Sequence, residues 1–237
     1  MQAVIIAGGL ATRLNNLSKD KPKSMIEILG KPFVQYQLEI LSDAGIRDIV
    51  FCIGHLGQQI EQFVGDGSRF NLNVNYSFDG EVLLGTGGAL KKAEILLQDT
   101  FLIMWGDSYL MLDYQDIEHE YRRRKLPAMM VVYKNDNERD RSNVILSGDI
   151  VAKYDKWNPP PETDYIDNGL TVCSKSLLPL IPSGEPYAIE RLFAKLASES
   201  KLGAYITAQR FYEIGSLNGI AEFEQMLNEN LSRKGQQ

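Results

Sequence analysis

The chain is poor in the residues that build metal cages and covalent staples. Two cysteines, Cys52 and Cys173, and two histidines stand among 237 residues, with no Cys-x-x-Cys pair. That argues against a disulfide framework and against a structural zinc site. Both cysteines fall inside apolar runs, where buried free thiols of a reducing compartment are expected. Long hydrophobic runs are missing too. None approaches the roughly 20 residues of a membrane span, and residues 1–7 lack the basic start of a signal peptide. Positive charge is also short: 25 Lys and Arg against 31 Asp and Glu, a formal net charge of −6. A nucleic-acid or acidic-membrane binder needs a basic footprint, so neither partner is expected. A cytoplasmic globular protein remains, with no linker, internal repeat or low-complexity segment.

Against that acidic background, the first 33 residues concentrate anion-binding chemistry. Ala3–Ala7 is an apolar run the length of one buried strand, and Gly8-Gly9-Leu10-Ala11-Thr12-Arg13 follows at once. Paired glycines after a strand let the backbone turn tightly and approach a ligand. Their N–H groups can face an anion, and Thr12 and Arg13 add a hydroxyl and a permanent positive charge. Lys21 and Lys23 flank Pro22, and Gly30-Lys31-Pro32 closes the stretch. Glycines alone would be an ordinary strand-to-helix turn; the combination reads as a seat for a nucleotide triphosphate. It is neither a Walker A loop nor a G-x-G-x-x-G fingerprint.

AGGLATRL followed by KPKSMIEILGKPFVQY resembles the N-terminal signature of the sugar-1-phosphate nucleotidylyltransferases, A-G-G-x-G-T-R-L, then P-K-P-M and G-K-P. Ala11 stands where glycine is usual and Ser24 where proline is usual. The resemblance runs over about residues 1–225, so no C-terminal β-helix of the kind that bifunctional relatives carry is expected. It implies an α/β chain of one domain with a GT-A-like nucleotidyltransferase fold, a Rossmann-like, doubly wound, mostly parallel mixed sheet. Residues 1–110 would form the nucleotide-binding half and 111–237 the sugar-phosphate-binding half. The residues alone point the same way: strands at 48–53, 74–77 and 100–105 alternate with helices at 34–44 and 56–63, the order of a parallel sheet with right-handed crossovers.

Further along, Leu84-Gly85-Thr86-Gly87-Gly88-Ala89 reads as a glycine-rich turn opening a helix over 90–97. Those glycines either allow close packing or admit a flat ligand; the resemblance implies that Gly85, Thr86, Gly87 and Gly88 lie against nucleobase and ribose, with Ala7, Gly8 and Gly9 completing the nucleotide seat. Asp107 ends the strand 100–105, where open α/β sheets place ligands. It is a capping residue or, as the resemblance implies, a Mg2+ carboxylate. Arg122–Lys125 reads as a solvated helix C-terminus. Val144–Leu146 and Ile150–Tyr154 read as a hairpin, followed by Asp155-Lys156, where the family has Glu-Lys. The resemblance gives Lys156 the sugar phosphate. Asn168-Gly169 is an Asn-Gly β-turn or, by resemblance, a segment before a strand that meets a sugar hydroxyl. Glu213 occupies the family's second metal position, usually Asp.

The implied reaction joins an NTP to a sugar 1-phosphate with release of pyrophosphate. Arg13, Lys23, Asp107 and Lys156 would be the catalytic set, and Mg2+ on Asp107 and Glu213 the cofactor. A GTP-using enzyme of heptose or mannose type fits best, with UTP open. Two alternatives remain: a CTP-dependent phosphocholine-type transferase, and a non-catalytic sugar-nucleotide-binding regulator. A homodimer is left open.

Overall fold

The computed structural model describes residues 1–9, 20–135 and 141–234. Its strands are β1 (Gln2–Ala7), β2 (Glu27–Ile28), β3 (Lys31–Pro32), β4 (Asp48–Ile53), β5 (Asn73–Phe78), β6 (Thr100–Trp105), β7 (Ser108–Leu110), β8 (Ala128–Lys134), β9 (Val144–Ser147), β10 (Ile150–Tyr154), β11 (Tyr165–Ser174), β12 (Leu202–Thr207) and β13 (Phe211–Glu213). Its helices are α1 (Phe33–Asp43), α2 (Gly57–Val64), α3 (Gly85–Lys92), α4 (Tyr114–Arg124), α5 (Ile189–Ser198) and α6 (Leu217–Lys234).

Nine strands form one sheet in the order β5-β4-β1-β6-β11-β8-β12-β10-β9. β5, β4, β1 and β6 run parallel. Parallel strands are covered on both faces and so read as continuous apolar runs, which is why AVIIA, IVFCI and FLIM stand out in the sequence. Val4, Val50 and Ile103 face one layer, against Leu90 of α3 and Phe193 of α5. Ile5, Phe51 and Leu102 face the other, against Leu38 of α1, Ile60 of α2 and Ile117 of α4. β11 is antiparallel to both neighbours, β6 and β8, and joins the two halves of the sheet. Beyond it only β8 and β12 are parallel; β10 and β9 form the expected antiparallel hairpin. Parallel pairing thus dominates the N-terminal half, and the C-terminal half is mixed. Cys52 and Cys173 are buried free thiols, and burial pushes both pKa values up. No described helix is long and apolar enough to cross a membrane.

A third cluster brings the chain's end back to its start. Phe223 of α6 packs edge-on against Phe33 and Tyr36 of α1, with ring centroids 5.3 and 5.4 Å apart, and lies 4.9 Å from Tyr109 of β7. Ile26, Ile28 and Ile214 complete it. The short β13 pairs antiparallel with β7, setting Glu213 opposite Ser108. These contacts carry Glu213 to the C-terminal edge of β1 and β6.

Two expectations change here. The glycines 85–88 belong to the first turn of α3 instead of preceding a helix at 90. Asn168 and Gly169 lie inside β11, neither before a strand nor in a tight turn. Against β8 the register passes from Asp167–Val132 to Thr171–Met130, so β11 bulges between them. Gly169 takes φ +87°, which favours glycine.

Candidate functional site

The chain leaves β6 through Gly106 and Asp107, at the sheet edge where β1 gives way to Gly8 and Gly9. Gly106 is forced by its neighbours. Its N–H donates to the Ile6 carbonyl at 2.9 Å, and a Cβ there would lie 2.7 Å from Ala7 Cβ and 2.9 Å from Ala7 Cα. Gly106→Ala is therefore expected to destabilise the protein by about 1–3 kcal/mol, read as a lower denaturation midpoint at unchanged slope; an unchanged midpoint would contradict this packing.

Three carbonyls around the turn are held from behind. Gln37, fully buried on α1, donates through Nε2 to the carbonyls of Trp105 and Ser108 at 2.9 and 2.7 Å, and Ser24 Oγ donates to that of Gly106 at 2.9 Å. The Asp107 carbonyl accepts from Ile214 N–H at 3.0 Å. So anchored, Asp107 Oδ2 accepts from Lys23 Nζ at 3.1 Å. Glu213 arrives from the other side. Its Oε1 accepts from Ser216 Oγ at 2.7 Å and its Oε2 from Gly215 N–H, which steadies the entry to α6. The three charged groups converge beside Gly215. The point where a Cβ on that glycine would lie is 2.6 Å from Glu213 Oε2, 3.6 Å from Lys23 Nζ and 3.7 Å from Asp107 Oδ2.

Two carboxylates across a space that a Cβ would crowd suit Mg2+, which binds one or two carboxylates and takes its other oxygens from water and phosphate. Among the described residues no cluster of three or more potential ligands exists, so a closed protein cage is not what these residues offer.

Two cavities meet at this turn. One, of about 330 Å3, is lined by Ile6, Ala7, Gly9, Lys23, Thr86 and Glu190 among others. The second, of about 440 Å3, is lined by Ser108, Asp167, Asn168, Gly169, Arg210 and Glu213 among others. Trp105, Asp107 and Lys156 line both. Gly8 instead packs toward β4: a Cβ on it would lie 3.2 Å from Gly54 N. Thr12 and Arg13 lie outside the described residues.

The α3 glycines are filled by protein at every contact found for them. A Cβ on Gly87 would meet Tyr187 Cδ1 at 2.7 Å, one on Gly88 the Glu185 carbonyl at 2.8 Å, and one on Gly85 the Tyr187 carbonyl at 3.0 Å. The N–H groups of Gly87 and Gly88 both donate to the Tyr187 carbonyl. Only Thr86 of the four reaches the smaller cavity. Its hydroxyl donates to Glu190 Oε2 at 3.0 Å and accepts from Ile189 N–H at 2.8 Å, tying α3 to α5.

In the larger cavity the β11 bulge presents Asn168, almost fully buried, with neither amide atom hydrogen-bonded. Such an orphan costs about 1–3 kcal/mol and marks a place built for something other than stability. Asp167 holds the bulge: its Oδ1 accepts from Gly169 N–H at 2.9 Å and its Oδ2 from the Tyr154 hydroxyl at 3.2 Å. Burial raises the Asp167 pKa; the Lys156 charge and these two hydrogen bonds oppose the rise. A carboxyl whose pKa is raised on folding binds more protons in the native state, so its charge costs stability as pH climbs past the unfolded value. Asp167→Asn is expected to melt above the wild type at pH 8, the gap closing as pH falls toward 4; a gap that widens in acid would reverse the assignment.

Sequence reasoning missed Asp167, Gln37, Glu190 and Arg210. Asp167 stood beside a residue already singled out. Gln37 and Glu190 look like ordinary polar positions of amphipathic helices, and nothing near Arg210 signalled a cavity.

An open α/β sheet thus carries a lysine-and-carboxylate turn between two cavities at the C-terminal edge of its parallel strands. A model of the family Nucleotidyl transferase fits residues 2–156, and the chain belongs to that family. The UTP–glucose-1-phosphate uridylyltransferase of Synechocystis sp. is 29% identical over 99% of this chain, which spans 64% of that relative's length. The D-glycero-α-D-manno-heptose 1-phosphate guanylyltransferase of Campylobacter jejuni is 26% identical over 91% of this chain and 95% of its own. The crystal structure of HddC from Yersinia pseudotuberculosis superposes with a TM-score of 0.81 at 27% identity, covering 95% of this chain and 99% of that one. HddC complexed with GMP-PN gives 0.78 at 28%.

Proposed function

We propose that the protein transfers a nucleotidyl group from an NTP to a sugar 1-phosphate and releases pyrophosphate, with GTP and a heptose or mannose-type sugar 1-phosphate preferred. The observation that carries this reading is the pair of cavities sharing Trp105, Asp107 and Lys156. Two anionic substrates placed in them meet at one lysine and one carboxylate. The relatives named for guanylyl transfer and the neighbour solved with GMP-PN support the choice of base.

The smaller cavity takes the nucleotide, its phosphates toward Gly9 and Lys23, with Arg13 and Thr12 assigned to the triphosphate on sequence pattern alone. The larger takes the sugar, and Lys156 holds its phosphate against repulsion from the triphosphate. Asn168 supplies the donor and acceptor for a sugar hydroxyl. Asp107 and Glu213 are the residues that would hold Mg2+, which when bound neutralises phosphate charge. Phosphoryl-type transfer leaves little covalent work for side chains, so positioning and charge neutralisation carry the rate. Lys23, 3.1 Å from Asp107 Oδ2 and in the lining of the smaller cavity, would meet the nucleotide phosphates.

Pyrophosphate release with and without Mg2+, across the four NTPs and a panel of sugar 1-phosphates plus phosphocholine, tests the reading. Metal-dependent release with GTP and a manno-configured sugar phosphate is expected. Release with CTP and phosphocholine alone moves the protein to the phospho-alcohol class, and nucleotide binding without release anywhere makes it a sensor.

A further inference from the structure

Arg210 and Glu222 have no part in the phosphate chemistry above, yet both line the larger cavity, together with Asn218. None of the three lines the smaller one. The wall that the cavities share carries Asp107 and Lys156, the phosphate end on the reading above. On that reading the rest of the lining is left for the sugar ring and its exocyclic carbon: Asn168 and its bulge on β11, and Arg210, Asn218 and Glu222 at the entry to β13 and on α6.

The three side chains form one hydrogen-bonded unit across two elements. Arg210 Nη2, at the entry to β13, donates to Glu222 Oε2 of α6. Asn218 Nδ2, one turn earlier on that helix, donates to Glu222 Oε1 at 3.0 Å. The Arg210 guanidinium carbon lies 4.4 Å from the centroid of the Tyr212 ring. A guanidinium stacked on a ring and paired with a carboxylate keeps its direction without spending entropy when a ligand arrives. Arg210 Nε is buried and has no hydrogen-bond partner in the described structure, so the unit is incomplete by at least one acceptor.

The chemistry of this wall selects a ligand class. It sets guanidinium donors beside carboxylate acceptors, and a hydroxyl, which both donates and accepts, answers both. A sugar carboxylate is disfavoured, because the lining carries Asp107, Asp167, Glu213 and Glu222 against Lys156 and Arg210. A methyl group there would take water from charged groups and return no hydrogen bond. We propose that Arg210 and Glu222 are specificity-determining residues for the sugar: they take the exocyclic hydroxyls of a neutral, polyhydroxylated sugar at the end remote from its 1-phosphate. This rests on the transferase reading of the site.

The test compares hexose 1-phosphates with their 6-deoxy counterparts at saturating NTP, in the wild type, Arg210→Met and Glu222→Gln. Arg210 and Glu222 already satisfy each other in part, so a missing hydroxyl costs less than in a site built wholly around it. The wild type should prefer the hydroxylated sugar by about 10–100-fold in kcat/KM. Both variants should fall to within about 2-fold of no preference, with KM for the NTP unchanged. Glu222→Gln keeps the side chain's volume and covers the case in which loss of the guanidinium loosens α6. Variants that discriminate as the wild type does, or a wild type that turns over both sugars equally, overturn the assignment alone. A wild type that releases pyrophosphate with no sugar phosphate overturns the transferase reading and this assignment with it.

Discussion

With Asp107 replaced by alanine, pyrophosphate release is expected to fall by about 10²–10³-fold, the loss typical of removing one group that stabilises charge in the transition state. Asp107 is held by its backbone, since its carbonyl and those of Trp105, Gly106 and Ser108 are fixed by Ile214, Gln37 and Ser24. The substitution therefore removes a carboxylate without releasing the turn. Among the described residues the ion pair lost is that to Lys23, with the Lys23 and Asp107 side chains 19% and 33% exposed. A pair so placed contributes about 1 kcal/mol or less, and the melting temperature should drop by no more than about 4 °C. Asp107→Asn keeps the shape and loses the charge, and should lose activity to a similar extent. Residual turnover in either variant should need more Mg2+ for half-maximal rate, because one oxygen ligand is gone. Activity like the wild type's in Asp107→Ala removes this residue from the metal site; a melting temperature lowered by tens of degrees would assign it to folding.

The parts of the fold written locally were legible. β1, β4 and β6 are buried on both faces, so each appears as an unbroken apolar run, and their spacing fixes a parallel layer. The hairpin over Val144–Tyr154 announces itself by Gly148 between two alternating strands. Asp107 was legible because it ends one of those runs. What stayed hidden depends on partners far away in the chain. Gln37 is polar on a helix whose apolar face is otherwise plain, and its burial is explained only by two carbonyls some 70 residues on. The α3 glycines looked like a ligand platform, and their shape is set by the segment 185–189, about 100 residues later. Asn168-Gly169 has the sequence of a tight turn. It becomes a bulge because Asp167 is pinned by Asn143, just before β9, and by Tyr154 of β10, through its N–H and its Oδ2. Glu213 was placed from resemblance, and its arrival near Asp107 depends on Phe223 docking α6 on α1.

Lys156→Met should lower kcat/KM for the sugar 1-phosphate by about 10–100-fold, the worth of one hydrogen bond to a charged group. The affinity for the NTP alone should stay within about 2-fold of the wild type, because Lys23 and the glycine turn are untouched. Among the described residues Lys156 is the cation that both cavities share; it stands two residues past the end of β10, next to Asp155, whose N–H donates to the Asn143 carbonyl at 3.0 Å, and its side chain is exposed. Two like-charged phosphates must be brought together before the bond forms, and that repulsion grows toward the transition state. The loss should accordingly divide between KM and kcat, whereas a residue that only anchors substrate would change KM alone. Lys156→Arg keeps the charge and should recover most of the rate. A second readout separates the electrostatic role from mere loss of bulk. The Lys156 charge opposes the burial that raises the Asp167 pKa, so its removal must drive that pKa further up. In Lys156→Met the loss of stability with rising pH linked to Asp167 should therefore extend to higher pH, and Lys156→Arg should restore the original range. If Lys156→Met weakens the NTP and the sugar phosphate equally, Lys156 is a general anion anchor, and the nucleophile's phosphate must be held by another residue.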